Sequence, residues 1–356
     1  MAEMKDPTGR GARVDSPPRC RRGGRTDNAP MHLKAGPDFD FRSAVCSHGF
    51  FMLAPNRWDP VGGVLCTAVA LDDDRAVGVD LRAAGSGRVR MDLAGRHRAA
   101  SAAAARRAVI RMLRLGEDLS GFHARCRAST THRAAARQRF GRLLRGASLF
   151  EDVVKVLCTC NTAWSRTVVM VGHLVQRWGV PAEGTDRRAF PTPRRLAEAS
   201  EADLRAAGLG YRAGWILRLA RAVAEGRVDL AAFERSPAAT TDLMYDLRRI
   251  RGVGPYAAAH LAMLLGRYDC LAWDSEMRRL LEHRAPHRRW TPAAAMSEYR
   301  AWHPYQFLAY WYDLWRGYAD VHGAPHLWDP AVLAGGITRR GRGGTDGRRQ
   351  GSRAAP

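Results

Sequence analysis

The sequence predicts an α+β fold that is mainly α, in which a small N-terminal antiparallel β-sheet subdomain precedes an all-helical body. Two observations predict it. Short β-branched and apolar runs, bounded by Gly and Asp, occupy the stretch 39–95, whereas apolar residues at helical spacing fill most of the chain after Arg96. The chain of 356 residues is long enough for two domains or one large domain.

The sheet is predicted from three short segments. The segments 64–71 and 76–81 are rich in Val, Leu and Ala and flank a turn formed by Asp72, Asp73 and Asp74. A third segment, 88–93, alternates polar with apolar residues, as expected for a strand with one buried face. We place this subdomain at 37–97.

The helical body is predicted at 98–332, where helix start and stop signals divide the chain. The apolar periodicity predicts helices at 99–115, 119–127, 131–145, 151–178, 194–206, 212–226, 239–250, 255–265, 275–283, 292–300 and 304–318.

Basic tails flank the two predicted subdomains. Residues 1–36 hold eight Lys and Arg against four acids, residues 333–356 hold six Arg against one acid, and both are dominated by Gly, Arg, Pro and Ser, which predicts disorder. The net charge of +22 favours a nucleic-acid partner. The composition of a GC-rich genome is an alternative source of this charge, because Arg and Ala are abundant while Lys occurs only at Lys5, Lys34 and Lys155.

The most informative stretch is 247–260, LRRIRGVGPYAAAH. Gly252 and Gly254 stand where one helical pattern stops and the next begins, so the backbone can turn there with positive φ. Pro255 suits the first turn of the new helix because it has no N–H to leave unpaired. Free amides at such a helix start attract a phosphate. Taken alone, the same pattern also fits a tight interhelical turn.

One helix length after this hairpin comes Asp274, preceded by Ala272 and Trp273. Gly266 is predicted to end the intervening helix, and Asp274 to open the next one. Taken alone, Asp274 reads as a helix N-cap.

Together, the hairpin, the loop and Asp274 resemble the helix-hairpin-helix (HhH-GPD) DNA glycosylase superfamily. A short N-terminal sheet before a helical body resembles two of its branches, 8-oxoguanine DNA glycosylase and the bacterial alkylpurine (3-methyladenine) glycosylase. The resemblance covers about residues 37–330. It implies a double-stranded DNA partner with phosphate held by the hairpin backbone at Gly252, Val253, Gly254 and Tyr256.

The resemblance assigns the chemistry to Asp274. Breaking an N-glycosidic bond develops positive charge on the sugar, which a fixed carboxylate stabilises. In this superfamily the same aspartate helps to activate the attacking water. Members that also cut the backbone place a lysine two residues after the second hairpin glycine, where this chain has Tyr256. Water is therefore the predicted nucleophile, and Lys155 is the remaining amine candidate in the body of the chain.

Two segments resemble the parts that fill the duplex after a base is flipped. In the first, 158–166, Asn161 matches the residue inserted into the vacated space and Arg166 one that reads the partner base. In the second, 208–215, Tyr211 matches a wedge and Arg212 a second reader of the partner base. Arginine suits that role because it can donate two hydrogen bonds to a base edge. The alternative for both segments is an ordinary helix end and loop.

The base pocket is predicted less directly. Tyr256 and His260 follow the hairpin on one helix face, and Phe50 lies where relatives contribute from the sheet. On the helix 304–318 a stripe at helical spacing is predicted to be core (Phe307, Trp311, Leu314 and Trp315), whereas Tyr310 and Tyr312 lie off this stripe and are predicted to be free to stack on a base.

No iron–sulfur cluster is expected, because no cysteine follows Cys270, and no catalytic metal is expected, because the histidines are scattered. The resemblance implies a structural Na⁺ or K⁺ ion held by hairpin carbonyls at Ile250 and Val253. No apolar run reaches membrane-spanning length and no signal peptide is evident, so a cytoplasmic, nucleoid-associated protein is expected. We also expect the protein to be a monomer.

The sequence therefore predicts a monofunctional DNA glycosylase of base-excision repair that removes an alkylated or otherwise modified purine and leaves an abasic site. Two alternatives stay open at this point: a bifunctional glycosylase/AP lyase for an oxidised purine, and a catalytically silent protein that binds damaged DNA.

Overall fold

The computed structural model describes residues 29–71, 75–85 and 87–328. It confirms the predicted fold class, since a sheet in the N-terminal part precedes a body made mainly of helices. The predicted Asp72–Asp74 turn, the tail at 333–356 and most of the tail at 1–36 lie outside the described residues.

The sheet is larger than predicted. Its central order is β1-β5-β4-β3-β2, all antiparallel, and β6 joins β4 in parallel while pairing with β7. The strands are β1 (Met31–Lys34), β2 (Arg57–Asp59), β3 (Val64–Ala70), β4 (Ala76–Ala83), β5 (Arg88–Leu93), β6 (Val180–Glu183) and β7 (Arg188–Ala189).

Three strands lie outside the predicted sheet subdomain and correct the sequence prediction, namely β1, β6 and the two-residue β7. Met31–Lys34 was placed in the N-terminal tail, but it pairs with β5 and buries Leu33, which is 1% exposed. Val180–Glu183 comes from the predicted all-helical body and pairs with Ala76 and Val77 of β4. Strands β1 and β6 are each four residues long, too short for an alternating pattern to stand out.

The helices of the described chain follow in sequence order: α1 (Phe41–Val45), α2 (Ala99–Met112), α3 (Ser120–Ala128), α4 (Arg133–Arg137), α5 (Leu149–Thr159), α6 (Trp164–Trp178), α7 (Pro193–Ala197), α8 (Glu201–Leu204), α9 (Arg212–Ala224), α10 (Leu230–Arg235), α11 (Thr240–Leu247), α12 (Pro255–Leu264), α13 (Ser275–Arg284), α14 (Pro292–Glu298) and α15 (Gln306–His322). A short π turn, Arg205–Leu209, joins α8 to the loop before α9.

The single helix predicted at 151–178 is wrong, because the chain breaks between α5 and α6. At the break, Asn161 takes a φ of +48°, a conformation that asparagine tolerates better than most residues. Thr167 Oγ1 donates to the carbonyl of Cys158 at 2.9 Å and so ties α6 back to the end of α5. The break projects Asn161 outward on an exposed turn.

The body packs around α5 and α12, which bring the later site together. Ala257, Ala258 and Ala259 on α12 are at most 1% exposed, and small side chains allow neighbouring helices to approach closely. The sheet subdomain is fastened to α15 by two indoles: Trp311 Nε1 donates to the Ser47 carbonyl at 2.9 Å, and Trp315 Nε1 to the Cys46 carbonyl at 3.0 Å.

No helix of the described chain is both long and apolar enough to span a bilayer.

Candidate active site

A cleft of about 730 Å³ opens where the α5–α6 break, the hairpin before α12, the start of α13 and the side of α15 meet. It brings together residues far apart in the sequence. Its lining includes His48, Phe50, Thr159, Asn161, Trp164, Trp215, Gly252, Gly254, Tyr256, His260, Trp273, Asp274, Glu276, Trp311, Leu314, Trp315 and Tyr318. Of the predicted site residues, Asp274, Tyr256, His260, Phe50 and Asn161 therefore share one cavity.

The hairpin turns with positive φ at Gly252 as predicted, but the same prediction is wrong for Gly254. Gly252 takes a φ of +94°, whereas Gly254 has a φ of −86° and is the extended N-cap of α12, with Pro255 in the first turn. The amides of Gly252, Gly254 and Tyr256 have no backbone acceptor among the described residues, as expected for a turn that leads into a helix. Val253 is a correction: its N–H donates to the Ile250 carbonyl at 3.0 Å and is used inside the turn.

Asp274 is the N-cap of α13 and also lines the cleft. Its Oδ1 accepts the Met277 N–H at 2.8 Å, which confirms the predicted capping interaction. Burial raises the pKa of the Asp274 carboxyl above its ordinary value, and the nearby His260 opposes that rise. A capping bond fixes the carboxylate at the cleft, so one side chain can serve both the helix and the reaction.

His260 faces Asp274 from α12 and is held as a neutral imidazole. Burial lowers the pKa of His260. Its Nδ1–H donates to the Tyr256 carbonyl at 3.1 Å, so in the neutral ring Nε2 remains as an acceptor. Its ring lies 4.4 Å from the Tyr256 ring centroid, and the Tyr256 hydroxyl lies 3.3 Å from Thr159 Oγ1.

These shifts predict the acid limb of a pH–rate profile. Because the pKa of Asp274 is raised, the carboxylate takes up a proton at a higher pH than an ordinary aspartate, whose pKa is about 3.9. The single-turnover rate of the base release that the sequence predicts is expected to fall as the pH decreases, with a midpoint above that value. A rate that stays flat to about pH 4 would contradict the assignment. Thermal unfolding at each pH controls for loss of the fold.

The aromatic helix α15 corrects the predicted pocket. Tyr310 is 1% exposed and Tyr312 is 3% exposed. Both lie inside the core and neither is part of the cleft lining. The stripe assigned to the core is buried at Phe307, Leu314 and Trp315, as predicted. Trp311, Leu314 and Trp315 also line the cleft, which was not predicted. The indoles of Trp311 and Trp315 are stacked, with ring centroids 5.9 Å apart. Helical spacing cannot separate a stripe facing the core from one facing an apolar cleft.

Several lining residues were missed from the sequence, among them Trp273, Glu276 and Tyr318. Trp273 directly precedes Asp274, and Glu276 follows it by two residues. The Tyr318 hydroxyl on α15 donates to the Glu276 carboxylate and accepts from Arg279 Nη2 at 3.1 Å, which ties α13 to α15 at the cleft. Glu276 and Trp273 could have been found by their adjacency to Asp274. Tyr318 had no such signal.

Comparison with known proteins agrees with this geometry. Residues 154–304 match the family model described as HhH-GPD superfamily base excision DNA repair protein. Over this segment the chain is similar to the HhH-GPD superfamily. The match includes the hairpin, α12 and Asp274.

Individual relatives are more distant. N-glycosylase/DNA lyase OGG1 of Arabidopsis thaliana is 30% identical over 163 residues, which span 39% of this chain and 42% of that protein. The chain thus matches less than half the length of that relative.

Two solved structures share the fold over most of the chain. For 3-methyladenine DNA-glycosylase from Archaeoglobus fulgidus the TM-score is 0.66 at 18% identity, covering 82% of this chain and 99% of that one. For the apo form of 8-oxoguanine glycosylase/lyase from Clostridium acetobutylicum the TM-score is 0.63 at 13% identity. The alignment covers 81% of this chain and 96% of that one.

The predicted gap-filling residues do not share one setting. Asn161 is exposed at the mouth of the cleft, and Tyr211 is 44% exposed. Arg166 is exposed but lies outside the cleft lining. Their insertion into DNA stays a prediction.

Arg212 is a correction. It is 6% exposed, and its Nε donates to the Leu157 carbonyl at 3.2 Å. Its Nη2 donates to the carbonyls of Cys160 and Asn161. A guanidinium engaged in this way holds the α5–α6 break and does not face a partner base.

Lys155 also lies apart from the site. Its side chain is fully buried, with Nζ donating to Glu151 Oε1 at 2.5 Å. It stands behind the cleft wall, 5.4 Å from the ring centroid of Phe50. A lysine in this position cannot reach a sugar in the cleft without breaking a buried ion pair.

Proposed function

We propose that the protein is a monofunctional DNA glycosylase of base-excision repair that flips a damaged base out of double-stranded DNA and hydrolyses its N-glycosidic bond, leaving an abasic site. The observation that carries the proposal is the place of Asp274. A partly buried carboxylate lines the same cleft as a hairpin whose amides can hold a phosphate. The DNA backbone is anchored beside the group that the chemistry needs.

The reaction balances with water as the co-substrate. As the base departs with the electron pair of its bond to C1′, positive charge develops on the sugar, and the Asp274 carboxylate stabilises it. Water then bonds to C1′ and gives up a proton. Asp274, or the free Nε2 of neutral His260, can accept that proton.

The cleft lining favours a positively charged modified purine. Among the described residues that line it there is no Lys or Arg, and the two histidines have lowered pKa values through burial. Two carboxylates, Asp274 and Glu276, stand beside the rings of Trp273, Trp311 and Trp315. Electron-rich ring faces and carboxylates attract a cation, whereas a neutral purine gains only stacking. N-alkylated purines carry such a charge.

The amines considered for a lyase step are poorly placed for it. The position where lyases of this superfamily carry lysine holds Tyr256, whose phenol pKa is raised by burial. The other amine considered, Lys155, is enclosed with Glu151. Because neither position offers an accessible amine, water is the proposed nucleophile.

The main competing function is a glycosylase/lyase for oxidised purine, which the partial similarity to OGG1 favours. Tyr256 opposes its lyase step, and the cation-free aromatic lining opposes a neutral oxidised base. A catalytically silent protein that binds damaged DNA would need only the hairpin, and the position of Asp274 in the cleft would then have no function.

We propose double-stranded DNA as the partner of a monomer acting at the nucleoid. The net charge of +22 supports this, as does the Clostridium acetobutylicum relative solved with double-stranded DNA. A Na⁺ or K⁺ ion could bind the hairpin carbonyls of Ile250 and Val253. The Ile250 carbonyl, which accepts the Val253 N–H, retains a second lone pair for it.

The test is a panel of duplexes that carry 3-methyladenine, hypoxanthine, 8-oxoguanine, uracil or a thymine mismatch, assayed for alkali-labile abasic sites. We expect the fastest product formation from 3-methyladenine and no strand cleavage without alkali. Asp274→Asn serves as the control. Product from no duplex above that control would refute the enzymatic proposal, and a preference for neutral 8-oxoguanine would refute the substrate class.

A further inference from the structure

Trp215 lies on α9 between the hairpin and the exposed Tyr211. Its indole covers Gly252 so closely that a Cβ added there would lie 2.4 Å from Trp215 Cε3. On its other side the Tyr211 ring meets it edge to face, with centroids 4.9 Å apart at 67°. Residues four apart share one helix face, so a single indole contacts both elements.

The contact at Gly252 leaves no room for adjustment. The glycine needs its φ of +94° for the turn, and the absent side chain is also what admits the indole. Close-packed contacts of this kind transmit displacement because neither partner can be compressed. A shift of the hairpin would therefore shift Trp215.

Arg212 continues the chain of contacts from Tyr211 to the α5–α6 break. Its guanidinium carbon lies 4.5 Å from the Tyr211 ring centroid. The same guanidinium donates to the carbonyls of Leu157, Cys160 and Asn161, where α5 ends. The bonds to Cys160 and Asn161 satisfy carbonyls beyond the helix end, and the Leu157 carbonyl, which also accepts the Cys160 N–H, gains a second donor. Together they hold Asn161 in its left-handed conformation.

We propose that Trp215 is a positioning residue that couples the phosphate-binding hairpin to the Tyr211 wedge and, through Arg212, to the Asn161 turn. Anchoring the strand at Gly252 and Gly254 then fixes the two elements that enter the duplex. The inference rests on the proposed function. It assigns Trp215 to the base-flipping step and leaves bond cleavage to Asp274.

The first test compares two DNAs that carry the same lesion, one fully paired and one with the lesion in a single-nucleotide bulge. Flipping a paired nucleotide costs a few kcal/mol more than moving an unpaired one. Trp215→Ala is expected to lower the single-turnover rate on the paired DNA at least about tenfold more than on the bulge. Trp215→Phe, which keeps a ring against Tyr211, should recover part of that difference.

Trp290→Ala, which removes an indole from outside the cleft lining, is the matched control. Thermal unfolding checks that each variant folds. Equal loss on both DNAs would show that Trp215 acts only as part of the cleft wall and would overturn the proposal.

The second test is a double-mutant cycle read by affinity for a duplex with a stable abasic analogue. Gly252→Ala should weaken binding, and the loss should shrink in a Trp215→Ala background, because the clash with the indole is gone. The backbone strain at Gly252 is present in both backgrounds and cancels. Additive losses would overturn the coupling. This cycle needs no chemistry, so wild-type protein that releases no base would refute the proposed function and leave this test intact.

Discussion

Replacing Asp274 with asparagine is expected to lower the rate of base release about a thousandfold while DNA containing a stable abasic analogue still binds. A carboxylate about 4 Å from the developing sugar cation contributes about 4 kcal/mol at an effective dielectric of ~20, which corresponds to roughly that factor. The neutral amide forfeits this attraction. Single-turnover kinetics and a binding titration on the same preparations measure the two quantities.

The capping bond to Met277 decides which variants are informative. Asparagine caps a helix about as well as aspartate, so Asp274→Asn should keep the start of α13. Asp274→Ala also loses the cap and is expected to destabilise the fold by about 1 kcal/mol. Asp229→Asn, at the N-cap of α10, is the matched control because that aspartate lies outside the cleft lining. Asp274→Asn at near wild-type rate would remove Asp274 from the mechanism.

Replacing Tyr256 with lysine is expected to create lyase activity that the wild type lacks. The new amine would lie in the cleft beside Asp274, and burial lowers a lysine pKa, which favours the nucleophilic neutral amine. Its lone pair bonds to C1′ as the base leaves, the nitrogen loses a proton, and opening of the sugar gives an imine. Borohydride reduces that imine to a stable amine, so a protein–DNA adduct should appear on a denaturing gel.

Tyr256→Phe is the control, since it keeps the ring against His260 and lacks an amine. It should release base with no adduct. An adduct in wild-type protein would show that another amine attacks the sugar, and the monofunctional proposal would be wrong. No adduct with Tyr256→Lys, in a variant that still binds DNA, would show that this position does not face C1′.

The features that could be predicted from the sequence are those specified by a few consecutive residues. Two glycines and a proline specify the hairpin because the turn needs positive φ at Gly252 and a helix start at Pro255. The sequence left two interpretations of Asp274, a helix N-cap and the carboxylate that stabilises the sugar cation. The cap is confirmed, and the position in the cleft makes the two roles compatible.

Features that depend on tertiary context were not predictable. The stripe of α15 was assigned to the core, and Trp315 is buried there, but apolar periodicity does not reveal that Trp311 and Trp315 also border a cavity. Tyr310 was assigned to the pocket for the same reason and is buried. Burial of a phenol is set by neighbouring elements that spacing along one helix does not reveal.

The α5–α6 break also depends on a tertiary contact that the local sequence does not reveal, in this case one made by a charged residue. The chain reads as one continuous helix over 151–178, yet Arg212, some fifty residues later, supplies the donors that satisfy carbonyls at the break. Because Arg212 is distant in the sequence, the residues near Asn161 do not indicate this contact. It also explains why Arg212, expected at the DNA, is found inside the protein.

The most direct test of glycosylase chemistry at Asp274 is mass spectrometry of the products from a 3-methyladenine duplex. Wild type is expected to give free 3-methyladenine and an intact strand with an abasic sugar, and Asp274→Asn is expected to give neither above background. No released base, or a strand ending in an unsaturated aldehyde without added alkali, would contradict this expectation.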